Sequence, residues 1–326
     1  MPEITMVEAI RQALAYEMEN DPQVLVLGQD IGRNGGVFRA TEGLRERFGD
    51  DRAVDTPLSE ILIGGMSLGL ASQRMKPVAE IQFSGFMYSN IDNLLNHAGR
   101  LRHRSRGRLA CPMVLRSPCF GGIHAPEHHS ESPEAMFAHI PGIRVVCPSS
   151  PSRAYGLLLA AIRDADPVVF LEPSRLYRLN RQDVPNDGEA LPLDVCFSNR
   201  TGSDVTLVSW GAMVVETMKA AEELQGRGIS AEVIDVATLK PLDMPTILNS
   251  VAKTGRCVIV YEAPISGGFG SEIAAQLAND GLLSLMAPVK QVAGFDTPMP
   301  LARMERAYIP SVERILEAVD EVMNFE

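Results

Sequence analysis

Apolar residues recur along this chain in two alternating rhythms. Val7, Ile10, Leu14 and Met18 are spaced for one face of a helix, and Thr5 with Glu8 forms a capping box at its start. The next run, 23–28, is almost continuously apolar, which suits a strand buried on both faces of a parallel sheet. The same alternation predicts strands at 52–55, 77–83, 112–116, 144–148 and 167–172, with helices at 90–104 and 152–164. The stretch from Gly35 to Gly49 reads as loop, helix, loop. From 181 to 204 the periodicity fades and Pro185, Asn186, Asp187, Gly188, Pro192 and Gly202 collect, so a linker is expected at 183–204, between domains at 1–182 and 205–326. Beyond it, strands at 205–210, 231–236 and 257–261 alternate with helices at 214–225, 244–252, 271–278 and 311–323. The expected class is α/β, two domains, each a mainly parallel sheet flanked by helices.

Composition narrows the function classes. The chain has 326 residues, 45% hydrophobic and 22% charged, enough for two domains with substantial cores. A net charge of −11 weighs against nucleic acid or an anionic membrane as a partner. No apolar run approaches the ~18 residues of a membrane span, and the opening Met-Pro-Glu-Ile-Thr lacks a basic stretch followed by an apolar one. A cytoplasmic location is therefore expected, or a mature form whose presequence has been removed. Cys111, Cys119, Cys147, Cys196 and Cys257 are odd in number and lack zinc-type spacing, so reduced, mostly buried thiols are expected. His124, His128 and His129, in the long stretch 119–133, fit no zinc spacing either. Gly268-x-Gly270 sits between a strand and a helix as a dinucleotide fingerprint does, but Ile273 stands where that fingerprint needs Gly or Ala. Close helix–sheet packing is the better expectation.

The chemically suggestive stretch is Asp55-Thr56-Pro57-Leu58-Ser59-Glu60. Thr56 can cap a helix, Pro57 suits its first turn, and Glu60 lies near the positive end of the dipole. That describes an ordinary helix start. Two features point further: Glu60 falls just beyond the carboxyl end of a strand, where open α/β sheets bind ligands, and Gly65-x-x-x-Gly69 with Ser67 and Ala71 lets another backbone pack closely beside it.

Asp55 to Glu60, then Glu80-Ile81-Gln82-Phe83 with Phe86, then His129-Ser130-Glu131-Ser132-Pro133-Glu134, resembles the beta subunit of the thiamine-diphosphate-dependent 2-oxo acid dehydrogenase complexes, of the transketolase-like superfamily. The resemblance runs in register from residue 4 to about residue 320. It implies a pyrimidine-type thiamine-diphosphate domain followed by a transketolase C-terminal-type domain. It implies roles as well: Glu60 bonding a pyrimidine nitrogen to promote the imino tautomer, Phe86 packing against the aminopyrimidine, and His129 near the substrate. A monovalent cation such as potassium maps to main-chain oxygens of Met113, Ala161, Ile162, Asp164 and Asp166. The family binds the diphosphate through magnesium held by Gly-Asp-Gly and an Asn pair. Here the Gly-Asp sequence is Gly49-Asp50-Asp51 and no Asn-Asn occurs. The resemblance thus implies that an alpha subunit supplies the magnesium, in a two-alpha two-beta heterotetramer, and that a dihydrolipoyl acyltransferase core and its lipoyl domain are further partners, the core docking on the second domain. The loop 120–127 is closer to the pyruvate-type relatives, while His103 and Arg106 replace the usual Tyr and Gly of the basic segment. The activity implied is oxidative decarboxylation of pyruvate with acyl transfer to a lipoyl group. Branched-chain 2-oxo acid or acetoin chemistry is the alternative, and a non-catalytic scaffold is the alternative of another class.

Overall fold

In the computed structural model, residues 3–325 are described; Met1, Pro2 and Glu326, at the outer ends of the two expected domains, lie outside them. The first lobe runs β1 (Ile4–Thr5), α1 (Met6–Asn20), β2 (Val24–Gly28), α2 (Leu44–Phe48), β3 (Ala53–Asp55), α3 (Glu60–Ser72) and β4 (Lys76–Glu80). Then follow α4 (Gly99–Arg104), β5 (Val114–Cys119), α5 (Glu134–Ala138), β6 (Arg144–Val146), α6 (Pro151–Arg163), β7 (Val168–Pro173) and β8 (Arg181–Gln182). The second comprises β9 (Phe197–Arg200), β10 (Val205–Ser209), α7 (Met213–Gly226), β11 (Ala231–Asp235), β12 (Thr238–Lys240), α8 (Met244–Thr254), β13 (Cys257–Pro264), α9 (Phe269–Asp280), β14 (Lys290–Gly294), α10 (Ala302–Tyr308) and α11 (Val312–Met323).

The expected capping box is present: Thr5 accepts from the Glu8 amide and the Glu8 carboxylate from the Thr5 amide. Val7, Ile10, Leu14 and Met18 are buried, packed against α6. Every residue of β2, β5, β7, β10 and β11 is buried, the pattern of strands covered on both faces. The first sheet has the order β12-β6-β7-β5-β4-β2-β3, parallel except for β12. The order in which the chain adds strands reverses between β2 and β4, and open α/β sheets bind ligands beyond the carboxyl ends at such a point. The second sheet is β14-β13-β10-β11-β9, parallel except for β9.

Five strands escape the hydrophobic pattern: β1, β8 and β14 fall where none was expected, and β9 and β12 are the others. β9 lies within 183–204, where no element was expected, and β12, though late in the chain, joins the first sheet by pairing antiparallel with β6. The lobes share one apolar core, in which Leu115, Val145 and Val169 cluster with Trp210, Ile234 and Ile259.

Candidate active site

Glu60 is the first residue of α3, and three corrections follow around it. Thr56 is not the cap: its amide donates to Gly28 O (3.0 Å), extending the pairing of β3 with β2, so the chain stays extended to Ser59 and Pro57 falls before the first turn. The close approach predicted for Gly65 and Gly69 occurs at Gly64, whose added Cβ would lie 1.8 Å from Asn90 Oδ1. By contrast, nothing lies within 4 Å of a Cβ at Gly69. Thirdly, 90–104 is not one regular α-helix: a 3₁₀ turn at Ser84–Asn90 leads into a π-helical stretch at Asn93–Ala98 and then α4. π-helical insertions cluster at functional sites, and the 3₁₀ turn and this insertion each bring one amide to α3. Asn90 Nδ2 donates to Glu60 O (2.9 Å) and Asn93 Nδ2 to Ile61 O (3.1 Å). The first turn of α3 is thus pinned through its backbone, while the half-buried Glu60 carboxylate has no hydrogen-bond partner among the described residues.

The 3₁₀ turn also carries Phe86. The His129 ring lies 4.1 Å from the Phe83 ring centroid and 5.5 Å from that of Phe86, edge-on to both. Its Nδ1 is buried without a partner, an arrangement that leaves a nitrogen for a molecule not of this chain. The three loop histidines separate clearly. His124 pairs with Glu305 (2.6 Å), and the exposed His128 only flanks Phe86 at 6.4 Å, whereas the half-buried His129 packs between Phe83 and Phe86. Gly85 permits this, because a Cβ there would fall 2.3 Å from His128 O.

Within the same sheet lies a buried charge cluster on β4, β5 and β7. Arg116 donates to Glu80 and, through Nε (2.6 Å) and Nη2 (2.8 Å), to Glu172, which also accepts from Tyr177 Oη. Burial opposes the Arg116 charge, but the two carboxylates outweigh it and hold the guanidinium pKa above its ordinary value. Such a fully paired cluster fixes the strand ends rather than offering a free acid.

The main-chain cation set gathers elsewhere. Ala161 and Ile162 end α6, Asp164 caps it, and Met113 precedes β5 at the amino edge of the sheet, opposite Glu60. Met113 O accepts from Val168 N (2.9 Å), Arg144 bonds Asp164 (3.1 Å) and Arg102 bonds Asp166 (2.7 Å). Of the Gly268-x-Gly270 pair, both glycines face the Tyr261 ring, where a Cβ would approach within 2.5 and 2.2 Å. The close packing expected there is what the structure holds.

Several residues of this region went unread in the sequence. Phe83 was visible in a motif but given no role. Asn90 and Gly85 carried no signal beyond their neighbourhood, and Glu262 and Glu305, which reach the histidine loop from the second lobe, carried none.

The family description "Transketolase, pyrimidine binding domain" matches residues 2–180, and "Transketolase, C-terminal domain" matches residues 197–315. The chain is 48% identical over 325 residues to the pyruvate dehydrogenase E1 component subunit beta of Bacillus subtilis, and 46% and 45% identical to those of Staphylococcus epidermidis and Staphylococcus aureus. Each alignment covers 100% of both chains. Among solved structures, a split-gene transketolase described as an inactive beta4 tetramer superimposes with a TM-score of 0.80 at 22% identity, over 99% of each chain, a likeness of fold. No helix among the described residues is long and apolar enough to cross a membrane.

Proposed function

The chain belongs to the family of pyruvate dehydrogenase E1 beta subunits, and on that premise we propose that it supplies one half of a thiamine diphosphate site in which pyruvate is oxidatively decarboxylated and its acyl group passed to a lipoyl group. The observation that carries this is that an unpartnered carboxylate, Glu60, and an orphaned ring nitrogen, His129 Nδ1, both follow the carboxyl ends of strands of one sheet. Both groups await a ligand, and the half-buried Phe86 beside His129 offers an apolar face for an aromatic ring. These residues fit the pyrimidine end of the cofactor.

Thiamine diphosphate, when bound, supplies the nucleophilic carbon and electron sink that a 2-oxo acid needs to lose carbon dioxide. Glu60 holds a proton at a pyrimidine nitrogen through a charge-assisted bond, stronger where water is excluded. His129, wedged against Phe83 and Phe86, is placed to pass a proton or stabilise an oxyanion as the acyl group leaves. The metal side is left to a partner. The only Gly-Asp of the sequence is Gly49-Asp50-Asp51 and no Asn-Asn pair occurs, so magnesium on the diphosphate would fall to an alpha subunit. The cofactor then sits at an interface in a two-alpha two-beta assembly, and the second lobe docks the acyltransferase core. The full-length identity to subunits named for pyruvate favours that acid over branched-chain substrates.

Calorimetry tests the split site: the single chain titrated with thiamine diphosphate and magnesium is expected to show no tight binding until the alpha subunit is added. Tight binding or decarboxylation by this chain alone refutes the reading.

A further inference from the structure

Residues 120–131, which carry His129, form a loop closed at its base by Phe120 N to Glu131 O (2.9 Å). On the first-lobe side, Ser84 Oγ donates to Glu131 O (3.0 Å) and Tyr88 Oη to the Glu131 carboxylate (3.0 Å). The other side is held by two carboxylates of the second lobe. Glu262, on β13, accepts from the Gly121 amide. Glu305, on α10, accepts from the amides of Gly122 (2.7 Å) and His124 (3.4 Å), and its other oxygen lies 2.6 Å from His124 Nδ1.

This clamp is costly to build. Glu262 and Glu305 are only 2% and 1% exposed, and a buried carboxylate is disfavoured unless its hydrogen bonds repay the lost water. Phe120 (φ +66°) and His124 (φ +59°) hold left-handed backbone that non-glycine residues adopt only under constraint. Runs of amides in such conformations make anion-binding concavities, and here the anions are the second lobe's own side chains. Adhesion between the lobes does not require them, because the shared apolar core and β12 already join the two sheets.

We propose that Glu305 and Glu262 are positioning residues that set the His129 loop from the second lobe, making that lobe a component of the acyl-transfer step as well as a docking platform. The proposal rests on the role assigned to His129 under Proposed function. Glu305→Ala removes the carboxylate's bonds to Gly122 and His124. Glu305→Gln keeps an acceptor oxygen for the Gly122 amide but loses the charge facing His124, and Glu262→Gln makes the matching change at Gly121.

Each variant is measured in two ways. Amide exchange is followed on the full chain, where Glu305→Ala is expected to speed exchange across 121–131 by about tenfold or more while the strands of both sheets keep their protection. With the alpha subunit assembled, pyruvate decarboxylation coupled to an artificial electron acceptor is compared with acylation of a lipoyl domain. Acylation is expected to fall about tenfold further than decarboxylation, with Glu305→Gln intermediate. Equal losses in both steps, or unaltered acylation by a folded Glu305→Gln with Glu262→Gln double variant, overturn the proposal. Should the wild-type assembly fail to act on pyruvate, the proposed function falls, yet exchange still decides the clamp: unaltered protection of 121–131 overturns it, and selective loosening supports it.

Discussion

The two residues at the centre of this site are held in opposite ways. Glu60 begins a helix whose outer face is left open: Leu58, Ile61 and Leu62 are 72%, 57% and 45% exposed, and Gly65 and Gly69 add no bulk. His129 sits on a loop anchored by its own chain, with Phe83 and Phe86 on one side and Glu262 and Glu305 on the other. Exposed apolar side chains beside an unpartnered carboxylate are what a surface completed by another chain looks like. An aromatic cluster with buried acceptors is what an internally completed surface looks like. The carboxylate side of the site is therefore finished by association, and the histidine side by folding.

The largest expected effect strikes the open side. Glu60→Gln keeps the backbone bonds from Asn90 but cannot cycle a proton, and turnover of the assembled enzyme is expected to fall at least about 100-fold. Near-normal turnover would remove Glu60 from the chemistry. On the closed side, His129→Ala is expected to lower acyl transfer to lipoyl groups about tenfold or more. Rates equal to wild type would shift the role to His128 or away from this loop. Association is probed directly by Ile61→Glu. The alpha-subunit Kd is expected to rise about tenfold or more, while the lone chain's stability changes by less than about 0.5 kcal/mol, as for a surface site. A marked drop in the lone chain's Tm would mean the face is already covered.

The smallest effect concerns proton linkage behind the histidine loop. Glu134, at the start of α5, is fully buried and accepts from Trp210 Nε1 of the second lobe (3.2 Å). Burial pushes its pKa from 4.5 up to about 7. A raised carboxylate pKa means the folded state holds the proton more tightly, so its contribution is fully present below about 4.5 and lost as pH rises through about 7. Wild-type Tm is thus expected to fall relative to Glu134→Gln between about pH 5 and pH 8. Parallel melting profiles would show a carboxylate that is charged when buried.

Local chemistry made much of the chain legible. The Thr5–Glu8 box sets the start of α1 because both groups lie within one turn, and 23–28 reads as a buried strand because its apolar run needs no knowledge of its neighbours. Glu60 and His129 stood out through motifs in register, and His129 could be told from His128 by its following residues. Thr56 was misread for a tertiary reason, since its amide was claimed by Gly28 on a neighbouring strand. The π-helical stretch was likewise hidden, because Asn90 and Asn93 bond a helix some thirty residues earlier.

What the sequence determined by itself was the succession of the buried strands and the longer helices, and the chemical character of the two candidate residues, because periodicity, caps and motifs act over a few neighbouring positions. Tertiary structure alone decided which glycine admits a close neighbour, which face of α3 stays open, and which carboxylates hold the histidine loop. Glu262 and Glu305 meet Gly121 and Gly122 across 141 and 183 residues of chain. No local pattern encodes a contact of that separation, and only the packing of the second lobe against the first brings it about.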